Sequence, residues 1–207
     1  MHLSEGVLHA PVLLANAVLA AGGVAIGLRK LEQERLPLTA LFSAAFFVAG
    51  TIHVPVGIGS VHLILNGMAG LFLGWTVFPA FLIALLLQVL FFSFGGFAVL
   101  GVNLCIMAIP AIIAHYLWRA RLRPQMSLKD RLFVGIGAGV VGVGGAAALA
   151  SLELMLDGGK SYTDLVWLLL ASHLPVFVLD SVISVGVISL LCKMYPDALN
   201  RSVLASS

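Results

Sequence analysis

Six histidines stand out in an otherwise apolar chain, and the one at position 2 is the most informative. A free Met1 amine, the backbone nitrogen of His2 and the Nδ1 of its imidazole can close two fused chelate rings around one metal ion. These three nitrogens lie close to one plane, so a fourth would complete a square-planar N4 set. That geometry is typical of Ni(II) or Cu(II) rather than of Zn, Mg or Ca. Because the ligands must be deprotonated, metal uptake is expected to weaken as the pH falls.

The fourth nitrogen is expected from the segment between residues 53 and 62. This segment has a histidine at each end, His53 and His62, with one proline and two glycines between them. Irregular backbone at membrane depth is tolerated where it is buried in protein or lines a cavity. His62 is the first choice for the fourth ligand, and His53 is the competing donor.

Other polar residues interrupt the apolar runs near these histidines. The amides of Asn66 and Asn103 could orient an imidazole, since a ligating histidine usually needs a partner for its other ring nitrogen. Hydrogen bonding between helices is an equally good explanation for both amides. Ser60 and His53 are further candidates for hydrogen bonding to the ligands without binding the metal ion.

Asp180 is a carboxylate in the middle of the last apolar run, where an ionisable group is costly and calls for a partner or a pathway. His173 precedes it by seven residues, which places both on one helix face. The two residues are therefore predicted to form an intramembrane polar pair, and a proton or ion pathway is the functional alternative.

The elements that must position these residues are set by composition. Of 207 residues, 61% are apolar and 10% are charged, against about 45–50% and about 25% in soluble domains. The mean hydropathy is +1.12. A net charge of +2 gives no indication of a nucleic-acid partner. Two cysteines without a CxxC pairing indicate neither a disulfide scaffold nor a metal site. The chain is predicted to be one integral membrane domain over residues 1–207.

Seven apolar runs predict an all-α, polytopic bundle of about seven transmembrane helices. The third and fourth runs are short and meet near Gly74 and Pro79, so a tight turn or a re-entrant pair is the competing topology. The predicted spans are 7–28, 38–54, 62–75, 79–94, 96–118, 132–152 and 164–192.

The basic residues indicate the orientation of this bundle. With the N-terminus outside and the C-terminus in the cytoplasm, ten of the eleven Lys and Arg residues fall on the cytoplasmic side, as the positive-inside rule requires. Only Lys160 falls outside, in a loop that is net acidic. The ten cytoplasmic residues are Arg29, Lys30, Arg35, Arg119, Arg121, Arg123, Lys129, Arg131, Lys193 and Arg201.

Two motifs resemble nucleotide sites without their context. The glycines at 137, 139 and 142 match a dinucleotide fingerprint but lie within an apolar span, where glycines favour helix packing. Gly159-Lys160-Ser161 resembles the end of a P-loop, but the position required to be its first glycine is Leu154. No nucleotide is expected to bind this chain, so ATP hydrolysis in any active transport would need another chain.

Three segments resemble signature sequences of the CbiM/NikM family, the substrate-binding membrane subunits of cobalt and nickel energy-coupling-factor importers. The resemblance extends from Met1 to about Asp180. The segments are Met1-His-Leu-Ser-Glu-Gly6, Pro55-Val-Gly-Ile-Gly-Ser-Val-His-Leu-Ile-Leu-Asn-Gly67 and Phe94-Gly-Gly-Phe-Ala-Val-Leu-Gly-Val-Asn103.

This resemblance implies capture of Ni²⁺ or Co²⁺ by the Met1 amine, the backbone and imidazole nitrogens of His2, and the His62 imidazole. It also implies a location in a prokaryotic plasma membrane and a link to metal supply such as cobalamin biosynthesis. The implied partners are a membrane coupling subunit (T component), cytoplasmic ATPase subunits and a small accessory membrane protein. Asp180, where the family pattern leads us to expect glutamate, and the bulky Ile58 depart from that pattern.

Two other functional classes compete with an ATP-driven importer subunit. An intramembrane metal enzyme would need an open coordination position and a nearby acid or base, whereas the predicted site is saturated by nitrogens. A channel or proton-coupled carrier would use Asp180 and His173 and would work without ATPase partners. The sequence favours a transport subunit and not an enzyme.

Overall fold

The computed structural model describes residues 2–56, 59–158, 163–197 and 199, and of residues 53–56, 59, 60 and 165 it describes the backbone alone. The described residues form eight α-helices, three short 3-10 helices and one antiparallel hairpin. The helices are Ala10–Arg29 (α1), Leu36–Ala49 (α2), Asn66–Leu73 (α3), Val77–Phe92 (α4), Leu100–Trp118 (α5), Leu128–Gly158 (α6), Thr163–Ser172 (α7) and Leu174–Met194 (α8); the strands are His53–Val56 (β1) and Gly59–His62 (β2).

Local sequence explains where several of these helices begin. Prolines occupy the first turn of α1, α2 and α8, where a missing N–H costs nothing and the fixed φ suits a helix. α6 begins four residues before its predicted start. The Ser127 hydroxyl lies 3.2 Å from the Asp130 N–H and donates to the Asp130 carboxylate at 2.7 Å, an arrangement that stabilises a helix N-terminus.

The described residues contain five helical runs that are long and apolar enough to cross a membrane. Two predicted spans are not separate members of this set: α2 has 14 residues, and α3 is counted together with α4 as one run. The polytopic helical membrane fold is thus confirmed, while seven crossings remains a prediction. The five runs are Ala10–Arg29, Asn66–Phe92, Leu100–Arg121, Leu128–Gly158 and Val166–Met194.

The run Asn66–Phe92 is broken at Gly74, whose φ of +56° and ψ of −131° are not helical. Glycine adopts this backbone without the steric penalty that other residues meet. After the break α4 runs back toward the start of α3. Two contacts show this: Gln88, near the end of α4, hydrogen-bonds to His2, and His2 contacts His62 just before α3. α3 and α4 therefore run in opposite directions.

α3 is the centre of the bundle, and all eight of its residues are buried. It packs against α5 and α6 at two glycines. A Cβ on Gly67 would overlap the Ala138 carbonyl of α6, and a Cβ on Gly70 would overlap Ala111 of α5. Close backbone approach at small residues is how helices associate where lipid supplies no hydrophobic drive. The helix that follows the hairpin is thereby held on both sides.

The outer faces of the bundle are apolar. Leu14, Val18, Phe91, Leu168 and Val182 each expose more than 60% of their surface. Exposed apolar area on this scale is costly in water and suits a hydrocarbon surrounding. The helix faces thus agree with the composition in indicating a lipid bilayer.

The segment that was expected to be irregular is a short β-hairpin. Its strands pair antiparallel with His53 opposite His62, Val54 opposite Val61 and Val56 opposite Gly59. The β-branched residues of both strands favour this conformation. The hairpin fixes the backbone at position 62 immediately before α3 begins at Asn66.

Candidate metal centre

His2 and His62 lie side by side although 60 residues separate them in sequence. Nδ1 of His2 is 3.0 Å from Nε2 of His62, and the ring centroids are 4.8 Å apart. His62 is buried. The N-terminal segment and the hairpin thus meet through one nitrogen of each imidazole.

The hydrogen-bond partners of the opposite ring nitrogens determine which atoms carry protons. Nδ1 of His62 lies 2.8 Å from the carbonyl of Leu63. A carbonyl oxygen only accepts, so this Nδ1 must carry the proton of a neutral ring. The facing Nε2 of His62 is then an acceptor with a lone pair directed at His2.

The tautomer of His2 follows from Gln88, a fully buried side chain of α4. Its amide nitrogen donates to the carbonyls of Phe46 and Phe47 at 3.4 Å and 3.2 Å. Its oxygen, Oε1, is therefore the atom that lies 2.9 Å from Nε2 of His2. Nε2 of His2 must donate to it, which leaves Nδ1 of the neutral ring with a lone pair facing His62.

Two neutral rings held in these tautomers point lone pairs at one another across 3.0 Å. Such an arrangement is repulsive unless a proton or a metal ion is shared between the two nitrogens. Neutral imidazole nitrogen is also the commonest metal ligand that proteins offer. The hydrogen bonds behind both rings therefore hold two unprotonated imidazole nitrogens next to each other.

Asn103 of α5 fixes the N-terminal segment beside this site. Its Oδ1 accepts from the Leu3 N–H at 2.9 Å and its Nδ2 donates to the Leu3 carbonyl at 3.1 Å. The sequence analysis named Asn103 as a candidate for orienting an imidazole or for hydrogen bonding between helices. The structure instead places its amide on the backbone of the residue that follows His2.

The loop between α4 and α5 forms a wall against the same segment. Ser93, Gly95 and Gly96 have positive φ angles of 55°, 78° and 142°, and a Cβ on Gly96 would overlap the Glu5 side chain. Glu5 in turn accepts from the Ala98 N–H at 3.0 Å. The glycine-rich segment noted in the sequence thus lets this loop lie directly on residues 2–5.

The remaining predicted site residues fall into two groups. Met1 lies outside the described residues, as do the side chains of His53 and Ser60, whose backbones form part of the hairpin. Asn66 is described, and its amide donates to the carbonyls of Met107 and Gly142 at 3.0 Å and 3.1 Å. Its side chain therefore connects α3 to α5 and α6.

His173 and Asp180 do not hydrogen-bond to each other, which corrects the predicted pair. Asp180 accepts from the Leu65 N–H at 2.8 Å and the Ile64 N–H at 3.5 Å, directly before α3. A carboxylate there satisfies N–H groups and complements the positive end of the helix dipole. His173 lies at the junction of α7 and α8. Its Nδ1 is 2.7 Å from the Leu169 carbonyl in the preceding turn of α7.

Gln88 is the site residue that the sequence analysis missed. The only available signal was an amide within the otherwise apolar run of α4, of the same kind that identified Asn66 and Asn103. Among the described residues, no group of three or more His, Cys, Asp and Glu side chains could hold a metal ion. The other predicted donors, the Met1 amine and the His53 imidazole, lie outside that part of the structure.

Two solved structures share this arrangement of helices. A transition metal transporter superposes with a TM-score of 0.78 at 22% sequence identity, covering 100% of both chains. A truncated transition metal transporter gives a TM-score of 0.77 at 23% identity, covering 93% of this chain and 99% of the other. The fold is that of a helical membrane transporter.

The sequence profile described as the cobalt uptake substrate-specific transmembrane region, CbiM, matches residues 2–198. The chain belongs to this family. It is therefore a multi-pass membrane protein of prokaryotic type and a transport protein rather than an enzyme, as the sequence predicted.

Individual relatives agree with this assignment. A Haemophilus influenzae protein, named only for metal transport, is 82% identical over 98% of both chains. The cobalt transport protein CbiM of Sorangium cellulosum is 30% identical over 97% of this chain and 95% of its own length. The fused nickel transport protein NikMN of Rhodobacter capsulatus is 32% identical over 74% of this chain and 46% of its own length.

Proposed function

We propose that this chain is the substrate-binding membrane subunit of an ATP-driven importer and that it captures Ni²⁺ or Co²⁺ at its outer face with high affinity. The ion would be held by four nitrogens: the Met1 amine, the backbone nitrogen of His2, Nδ1 of His2 and Nε2 of His62. The observation that carries the proposal is the pair of imidazole nitrogens facing each other across 3.0 Å with their lone pairs turned inward.

The separation of these two nitrogens fits adjacent ligands of one ion. For a metal–nitrogen bond of the length found for zinc, about 2.0–2.1 Å, two ligands at a right angle are about 2.9 Å apart. Nδ1 of His2 and Nε2 of His62 are 3.0 Å apart. The chelate rings from Met1 and His2 would complete the same plane, which suits Ni(II).

The distribution of charge supports the orientation of the site. His2, Glu5, His9 and Asp157 lie at one end of the bundle, where His9 pairs with Asp157 at 2.9 Å. At the opposite end Arg35 donates to the Phe72 carbonyl beside the Gly74 turn. Lys and Arg concentrate at cytoplasmic ends, so we place the metal site outside, with α3 and α4 counted separately among seven crossings.

The proposed partners supply the coupling and the ATP hydrolysis that a substrate-binding subunit does not perform itself. The proposed importer needs a membrane coupling subunit and cytoplasmic ATPase subunits, because release of a tightly held ion requires an energy source. A small accessory membrane protein is supported by the Rhodobacter capsulatus relative, a fused nickel transport protein NikMN of which this chain spans 46%.

Metal titration of the purified chain tests the ligand set. Nickel and cobalt binding would be measured calorimetrically for the wild type, His2→Ala, His62→Ala and a form extended before Met1. Each change removes a ligand, so we expect losses beyond the ~10–100-fold that supporting residues cost. His9→Ala is the matched control, because His9 lies on the same segment but pairs with Asp157, and should bind like the wild type.

Unchanged affinity in the extended form would show that the Met1 amine is not a ligand. A proton-coupled carrier or channel is separated from the proposal by uptake into proteoliposomes that contain this chain alone. Uptake driven by a proton gradient and abolished by Asp180→Asn would favour that alternative. The importer proposal predicts no concentrative uptake without the ATPase subunits.

A further inference from the structure

Gln88 connects the proposed metal site to α4 through the ring nitrogen of His2 that faces away from His62. Its Oε1 is 2.9 Å from Nε2 of His2, on the side of the ring away from His62. Its side chain is fully buried. An acceptor oxygen at this position keeps the proton of the neutral His2 ring on Nε2 and is itself too far from Nδ1 to be a ligand.

The orientation of the Gln88 amide is imposed by the end of α2. Gln88 Nε2 donates to two carbonyls of the last turn of α2, those of Phe46 and Phe47; the Phe46 carbonyl also accepts from the Gly50 N–H at 3.0 Å. Gly50 follows this turn, and a Cβ there would overlap the Gln88 amide nitrogen. The C-terminal end of α2 therefore holds the donor end of the amide and turns its acceptor end toward His2.

We propose that Gln88 is a positioning residue that holds His2 in the Nε2-protonated tautomer and so presents Nδ1 to the metal ion. This inference rests on the proposed function, because it assigns a role to Gln88 through the ligand His2. Metal-ligating histidines generally donate their second ring N–H to such an acceptor, and loss of the acceptor costs ~10–100-fold in affinity.

Gln88 also ties α4 to α2, so the test must separate this structural contribution from the effect on His2. Ser43 supplies the matched control: its hydroxyl on α2 donates to the Ala80 carbonyl of α4 at 2.7 Å. Ser43→Ala removes a comparable tie between the same helices without touching the metal site. Gln88→Leu keeps the side-chain volume and removes the acceptor. Gln88→Glu, in its protonated form, keeps an oxygen for His2 and an O–H donor for the α2 carbonyls.

The first measurement is nickel titration of the full chain in detergent. Gln88→Leu is expected to bind nickel ~10–100-fold more weakly than the wild type, with Gln88→Glu and Ser43→Ala within a few-fold of it. Equal losses of nickel affinity in Gln88→Leu and Ser43→Ala would overturn the inference, because Gln88 would then act only by linking α2 to α4. Equal losses in the Leu and Glu variants would overturn it as well.

The second measurement is the ¹⁵N spectrum of metal-free protein labelled at histidine, with the His2 signals identified by their absence from His2→Ala. The wild type should show a neutral His2 ring with the proton on Nε2, and Gln88→Leu should show mixed tautomers. A tautomer that is unchanged in Gln88→Leu would contradict the assigned role.

The proposed function can fail separately. If His2→Ala binds nickel like the wild type, His2 is not a ligand and both proposals are wrong. If His2→Ala abolishes binding while Gln88→Leu binds normally, the metal site stands and only the role of Gln88 is wrong.

Discussion

At the scale of single residues, the hydrogen bonds of the ring nitrogens distinguish the proposed ligands from other histidines. His115 lies 3.0 Å from the Gly70 carbonyl through Nδ1 and 3.4 Å from the Arg119 guanidinium through Nε2. His9 pairs with Asp157. These rings serve packing and surface contacts, whereas His2 and His62 each use one nitrogen for the protein and turn the other toward a shared point.

Asn103 provides a residue-scale prediction. Asn103→Leu removes both hydrogen bonds that hold the Leu3 backbone, so the His2 nitrogens lose their fixed position. Nickel affinity should fall by ~10–100-fold, as for other residues that orient ligands. Calorimetric titration checks the affinity.

Asn16→Leu is the control for Asn103. Asn16 is also a buried amide, and it bonds to Glu153 and to the Val12 carbonyl rather than to residues 2–5. A comparable loss of affinity in both variants would mean that the effect comes from general loosening of the bundle.

The sequence analysis named His2 and His62 as candidate ligands and Asn103 as a candidate supporting residue, but it missed Gln88. Chelation by an N-terminal segment is local chemistry and can be recognised from positions 1 and 2. The acceptor role of Gln88 depends on the Phe46 and Phe47 carbonyls of α2, which are 42 and 41 positions before it in the chain, and such contacts have no local signal. For the same reason the spacing of His173 and Asp180 suggested a pair, while Asp180 in fact bonds to the backbone before α3.

At the scale of elements, α3 connects the hairpin to the rest of the bundle. It begins four residues after His62, where Asp180 accepts from Leu65, and Asn66 bonds to carbonyls of α5 and α6. The proposed ligand is therefore anchored to three other helices within a few residues. The apolar runs predicted that these helices exist. The close packing of α3 against α5 and α6 was not predictable, because the sequence does not show which residues face Gly67 and Gly70.

The crossing of α3 and α6 gives an element-scale prediction. A Cβ at Gly67 would overlap the Ala138 carbonyl, and backbone cannot move aside as a flexible side chain can. Gly67→Ala should therefore destabilise the protein by about 1–3 kcal/mol, the usual cost of overpacking. Thermal unfolding in detergent measures the change.

Gly186→Ala in α8 is the matched control, because nothing lies within 4 Å of its added Cβ. Helix propensity predicts a gain of up to about 1 kcal/mol there. If the two variants unfold at the same temperature, the close crossing is not a structural requirement.

At the scale of the whole molecule, the acidic residues near His2 and the arginines near Gly74 lie at opposite ends of the bundle. Glu5, Glu153 and Asp157 belong to the end that carries His2. Arg35 and Arg119 lie at the other end, near the turn at Gly74. The sequence could predict this separation because it depends only on the order of spans and loops.

This separation predicts which loops face outward. In a protein with Cys105 and Cys192 replaced by alanine, Ala98→Cys should react with a membrane-impermeant thiol reagent in intact cells. Gln125→Cys, in the exposed loop after α5, should react only after the membrane is opened. The reverse pattern would place the metal site on the cytoplasmic side and would contradict uptake from outside.

The most direct test of the central claim is X-ray absorption at the nickel edge of the nickel-loaded protein. The proposed site predicts four nitrogen neighbours, two of them with the outer-shell scattering of imidazole, and the pre-edge feature of square-planar Ni(II). A six-coordinate shell with oxygen ligands, or a sulfur neighbour, would contradict the claim that Met1, His2 and His62 hold the ion.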